Sequence, residues 1–136
     1  MINLTTGIYS YANGSDFMSD IGSRLYKGGA PTGVTYPYAV YLVESITHNR
    51  TFTEFYKDVN VKFSLFSIAS GTTEIEGIYT DLKTLYDEKF FSITGSTLIW
   101  MRRTNAMFSV EDHVTPTGTQ VAFSYEVDFE VKTSLN

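Results

Sequence analysis

Hydrophobic positions change their period several times along this chain, and each change marks an element. Between Leu4 and Ala12 the apolar residues Leu4, Ile8, Tyr11 and Ala12 recur at helical spacing, and Asn13-Gly14 supplies a stop. Gly7 lies mid-segment and lowers helix propensity by about 1 kcal/mol relative to Ala. Ser15-Asp16 can cap a second short turn carrying Phe17, Met18 and Ile21. Arg24-Leu25-Tyr26 reads as brief extended chain before the loop Lys27–Gly33.

Strand patterns then take over. Tyr38–Val43 is a continuous aromatic and β-branched run, as expected of a strand covered on both faces, and Pro37 precedes it where no ladder N–H is needed. From Val59 to Leu65 the alternation is strict, with Val59, Val61, Phe63 and Leu65 on one side. Thr73 with Glu76 three residues later fits a capping box. The stripe Ile75, Ile78, Tyr79, Leu82, Leu85 and Tyr86 predicts an amphipathic helix lying on a sheet. Thr97–Thr104 predicts another strand, and the polar stretch Ser109–Thr119, with Pro116 and Gly118, reads as a loop or hairpin tip. Val121, Phe123, Tyr125, Val127, Phe129 and Val131 alternate with polar residues in a long final strand whose other face is acidic: Glu126, Asp128 and Glu130. The pattern therefore predicts one α+β domain over residues 1–136. It consists of a mainly antiparallel sheet of four to five strands, with an N-terminal helix and one long amphipathic helix packed on one face.

Composition narrows the chemistry. The 136 residues include no Cys, so thiolate metal sites, disulfides and Cys nucleophiles are excluded. A net charge of −5 argues against a generally basic nucleic-acid binder. Apolar runs are too short to span a membrane, and the first residues lack the pattern of a secretory signal. His48 and His113 stand apart from any His cluster, and neither a Gly-x-Ser-x-Gly elbow nor a phosphate-binding glycine loop occurs. Neither catalytic residues, a cofactor nor a metal is expected. Arg102 and Arg103, adjacent on a strand, should face opposite ways, with one pairing to an acid such as one on a neighbouring strand.

One segment has the composition of a contact surface. Arg50, Phe52, Glu54, Phe55 and Tyr56 fall in the connection between two predicted strands, where they either fold back on the sheet or form a protruding hairpin that meets another subunit. Ten Tyr and ten Phe in so short a chain also suit self-association.

The ordered combination of short motifs resembles the tail-completion, or tail-terminator, proteins of long-tailed bacteriophages. It comprises an N-terminal helix, Arg24-Leu25-Tyr26, the Gly29-Ala30-Pro31 loop, Pro37-Tyr38-Ala39-Val40 opening a strand, Phe66-Ser67 closing the next, a polar-capped helix and two final strands, across residues 4 to 133. That resemblance implies a non-enzymatic virion protein at the head–tail interface, assembled in the host cytoplasm. Such a protein forms a ring, typically of six copies, that caps the tail tube, stops its polymerisation and docks the head-completion (stopper) protein, while double-stranded DNA passes through the lumen. On that reading Glu126, Asp128 and Glu130 are candidate lumen or interface acids. An N-terminal helix weakened by Gly7 and Asn13-Gly14 would become ordered only in the assembled particle. A tail tube subunit and a small ligand-binding α+β module are the alternatives.

Overall fold

The computed structural model describes residues 2–52, 54–115 and 118–135. Helices α1 (Ile2–Ala12) and α2 (Asp16–Asp20) lead into strands β1 (Leu25–Lys27), β2 (Tyr38–Arg50) and β3 (Phe55–Ser67). Helix α3 (Thr73–Tyr86) and the long strands β4 (Ser96–Thr115) and β5 (Gly118–Leu135) complete the order. The five strands form one sheet in the order β1-β2-β3-β5-β4. Every pairing is antiparallel except β1 with β2. This is the α+β architecture that the sequence pattern predicts.

Strand register sorts the side chains onto two faces. Tyr41, Phe63 and Val127 lie abreast, as do Val43, Val61 and Phe129, and Val59, Val131 and Met101. These belong to the face that the helices cover. Phe63 is the hub of the core, with Phe17, Tyr41, Tyr86 and Phe129 around it at ring separations of 5.1–6.4 Å. The α3 stripe behaves as its spacing demands, with Ile75, Ile78, Leu82 and Tyr86 buried. Two buried tyrosines then fasten α1 through its backbone: the Tyr86 hydroxyl donates to the carbonyl of Ile8 at 2.7 Å, and that of Tyr41 to the carbonyl of Thr5 at 3.2 Å. Each hydroxyl finds an acceptor where an unpaired one would cost about 1–3 kcal/mol.

Several boundaries differ from the sequence expectation. Strand β2 runs to Arg50, well past the apolar run that marks its start, and only Ala39–Tyr41 of it is buried. Of the two readings of the polar stretch 109–119, the hairpin is the one that holds: residues 109–115 are the end of β4, paired residue by residue with β5; Pro116 lies outside the described residues. Thr73 does not cap α3. Thr72 occupies that position without a side-chain hydrogen bond. The neighbouring acid Glu74 instead accepts from Ser67 Oγ at 2.7 Å, which joins the helix start to the end of β3. Ser15 does cap α2, accepting from the Met18 amide at 3.2 Å.

Gly7 proves to be a packing requirement rather than a weakness. A Cβ there would sit 2.9 Å from the carbonyl oxygen of Ser92 and 3.5 Å from Phe91 and Ile93, so the segment after α3 crosses α1 at this residue. With Leu4, Ile8 and Ala12 fully packed, α1 is an integral layer of the fold. This corrects the expectation of a helix ordered only on assembly.

Two carboxylates meet between α2 and α3. Asp20 is pushed up to about 7, first by partial desolvation, then by a hydrogen bond shared with Asp81, and further by repulsion from Asp81 and Asp16. The folded chain therefore holds a proton that the unfolded chain releases near pH 4. The pair stabilises most in acid, and its contribution is lost as pH rises through about 7.

Two predictions arise from this packing. Gly7→Ala should lower the free energy of unfolding in urea by about 1 kcal/mol or more, because overpacking outweighs the gain in helix propensity; an equal or higher stability would refute the close approach. Asp81→Asn should raise the thermal midpoint at pH 8 and flatten its rise between pH 7 and pH 4. A profile parallel to that of the unmodified chain would show that the two acids do not interact.

Candidate interaction surfaces

The helices cover only the middle of the sheet, and both ends project. At one end the β2–β3 hairpin is closed by a tight turn, in which the Thr51 amide donates to the Glu54 carbonyl and the Glu54 amide to Thr51 Oγ1, at 2.9 and 3.0 Å. All five residues singled out in the sequence gather here. Phe52 stands fully in solvent at the turn, and Phe55 is half exposed. The hairpin thus protrudes, with Phe52 and Phe55 exposed rather than folded back on the sheet.

Alternation divides the hairpin into two unlike sides. His48, Arg50, Phe55 and Lys57 share the helix side and line an open concavity of about 410 Å³ at the tip, with the Arg50 guanidinium 4.7 Å from the Phe55 ring centroid. Neither Arg50 nor Lys57 forms an ion pair among the described residues. On the other side the Tyr56 hydroxyl donates to the Glu54 carboxylate, which pushes the phenol above its ordinary range. Beside them Asn49 donates to Asp58 at 2.5 Å. Of the five, Arg50 and Phe55 thus belong to a basic, aromatic side, and Glu54 and Tyr56 to a self-satisfied polar one. Lys57, which flanks the aromatic stretch in the sequence, and His48, solitary there, join this side because each lies two residues from Phe55 or Arg50 and must share its face.

Across the uncovered face of the sheet, Glu126, Asp128 and Glu130 do stand in one row, as the alternation in β5 predicts. The row is not purely acidic. Lys62 of β3 lies between Glu44 of β2, 2.8 Å away, and Glu126 of β5, 3.7 Å away. Lys132 reaches Asp58 at 3.8 Å and sits 5.0 Å from the ring of Trp100. Arg102 stacks over the same ring at 3.9 Å and is directly opposite Glu130. Arg102 and Arg103 do face opposite ways, but the acids they reach follow α3 rather than lie on a neighbouring strand. Arg103 meets Asp87 at 3.2 Å, and Arg102 approaches Glu88 at 4.0 Å.

At the far end, β4 and β5 continue beyond Ser67, the last residue of β3, as an arm of two strands. At the root of the arm, on the uncovered face, a concavity of about 240 Å³ is walled by Tyr36, Tyr38 and Phe66 and edged by Glu111 and Glu126. The aromatic wall is tightly made: Tyr38 stacks on Phe66 at 4.8 Å and meets Tyr36 edge-on at 5.0 Å. Burial, with Tyr36 beside it, pushes the Tyr38 phenol up to about 12, so it stays a neutral donor at physiological pH. On the opposite side of the arm Phe108, Val110 and Val121 are exposed apolar side chains.

No family model matches the sequence, and no curated protein does. The fold, in contrast, has a clear counterpart. A chain in the virion of the native gene transfer agent particle superposes with a TM-score of 0.79, covering 96% of this chain and 94% of that one. The two are 11% identical, so what they share is the fold over nearly their whole lengths.

Other sites are less developed. Among the described residues no group of three or more His, Asp or Glu side chains is placed to hold a metal ion. No helix is long and apolar enough to cross a membrane. Among the described residues that line the hairpin concavity, His48 is joined by no carboxylate and no second histidine; the side chain of His113 lies outside the described residues.

Proposed function

We propose that this chain is a virion structural protein that acts as a tail terminator. In this reading it forms a ring, six copies being the expected number, that caps the tail tube, stops its growth and presents a docking face to the head-completion protein. The observation that carries the proposal is the end-to-end fold likeness to a chain of a gene transfer agent virion. The motif order, running from Arg24-Leu25-Tyr26 through Phe66-Ser67 to the paired final strands, supports the finer assignment. A single sheet with helices on one face fits a terminator better than a tube subunit, for which a more continuous β-sandwich is expected. Its partners are then further copies of itself, the tail tube protein and the stopper, with DNA in transit through the lumen. Chemistry at a catalytic centre has no part in this role.

The uncovered face suits a conduit. Five carboxylates, Glu44, Asp58, Glu126, Asp128 and Glu130, outnumber Lys62, Lys132 and Arg102 on it. Six chains at −5 each would carry about −30, and a surface with few free cations holds a phosphate backbone weakly.

Light scattering on the purified chain, with and without tail tubes, followed by imaging of tube ends, tests the assignment. A ring-sized oligomer or density capping one end of each tube is the expected result; a monomer that ignores tubes would overturn it. Replacing Glu126, Asp128 and Glu130 together by Lys should impair DNA passage in assembled particles, while the Gln/Asn/Gln variant assembles normally. Unchanged infectivity of the Lys variant would remove these acids from the lumen.

A further inference from the structure

The two projecting ends of the sheet are complementary in charge, and they lie on opposite faces. The hairpin tip offers Arg50 and Lys57, both without ion-pair partners among the described residues, around the exposed rings of Phe52 and Phe55. The concavity at the root of the arm offers Glu111, with Glu126 beside Lys62 at its edge, against a wall of Tyr36, Tyr38 and Phe66. About eleven residues of β2 separate the two, roughly 36 Å at 3.3 Å per residue, so a chain cannot bring its own tip to its own concavity.

From this we infer that the occupant of the acidic concavity is the β2–β3 hairpin of a second copy of this chain. The contact is heterologous: the tip of one copy meets the arm root of the next, each copy using both surfaces once, as a closed ring or an open row requires. The helix side of the tip lies on the uncovered side of its neighbour, so successive copies overlap like shingles. Arg50 and Lys57 meet Glu111, and Phe52 and Phe55 pack on the tyrosine wall, an arrangement of aromatic and Arg anchors typical of energetically dominant contacts. Charge reversal at either end places like charges in apposition, which disfavours the wrong register. This inference supplies the subunit contact for the ring of the proposed function and rests on that reading only for the closure of the ring, not for the pairing itself.

Charge exchange tests it. The variant Arg50→Glu/Lys57→Glu and the variant Glu111→Lys should each need about tenfold or more higher concentration to associate in light scattering. Mixed one to one, they should regain the association of the unmodified chain, because the reversed tip of the first fits the reversed concavity of the second. Since the chain lacks cysteine, Phe52→Cys/Ser109→Cys gives an independent readout on otherwise unaltered charge. Mild oxidation should produce a ladder of disulfide-linked chains. Mixed variants that stay apart, together with an absent ladder at the highest soluble concentration, would overturn the inference. So would a hairpin variant that loses binding to a double-stranded DNA probe while associating normally, since the tip would then serve a polyanion. Tube capping that survives both charge reversals upholds the terminator reading and rejects this contact; restored pairing without capping does the reverse.

Discussion

Strand and helix advance at different rates, and the shape of this protein follows from that mismatch. A helix gains about 1.5 Å per residue and a strand about 3.3 Å. The 14 residues of α3 therefore span about 21 Å, while the 18 residues of β5 reach about 59 Å. A layer built from α3 and the 11-residue α1 can shield the centre of such a sheet and no more. The centre is accordingly where Phe63, Tyr86 and Phe129 meet, and the ends are where polar and aromatic side chains face water. The projecting hairpins are thus a direct consequence of strand length, since no helix here is long enough to cover them.

Long bare strands would slip or aggregate unless the middle were held firmly. That hold comes from groups that pack and hydrogen-bond at once. Tyr41 and Tyr86 place their rings on the sheet and their hydroxyls on the backbone of α1, so the helix is fixed in rotation and along its axis. Gly7 permits the segment after α3 to cross within van der Waals distance, locking α1 from its other side. The exposed edges are guarded differently. Strand β4 carries Arg102, Arg103, Asn105, Glu111 and Asp112 along the outer edge of the sheet, and its ladder is broken by register shifts at Leu98/Trp100 and Arg103/Asn105. Charges and bulges of this kind discourage indiscriminate pairing of edges.

What could be read from the sequence follows the same division. Wherever one face of an element is buried, its period is legible: the α3 stripe and the alternation of β3 and β5 gave the correct elements and the correct inward residues. Where both faces are wet the period carries no apolar signal, and residues 44–50 and 109–115 look like loop although they are strand. Their extension is enforced by cross-strand pairing, which no local window contains. Strand order was hidden for a related reason. Because β5 inserts between β3 and β4, Lys62 falls beside Glu126, and only the register shows that the acidic row of β5 is interleaved with cations. The capping box failed because the helix starts one residue earlier than it requires, with Thr72 rather than Thr73 at the cap, while Glu74 reaches Ser67 at the end of β3. At the hairpin the residue types were informative, yet the partition into a basic side and a polar side needed the pairing of Arg50 with Phe55 and of His48 with Lys57.

Separation of the two ends also bears on how copies could recognise one another. At physiological ionic strength the screening length is about 8 Å, far below the roughly 36 Å between tip and arm root. Each end therefore presents its own local field rather than the net charge of −5. Two tips repel and two arm roots repel, whereas a tip and an arm root attract, so the polarity of an encounter is set before side chains touch. Aromatic packing then decides whether the encounter persists, because exposed ion pairs alone contribute at most about 1 kcal/mol. A chain with this layout would associate in one direction, faster at low salt, and its rate would respond to Arg50 and Lys57 while its lifetime would respond to Phe52 and Phe55.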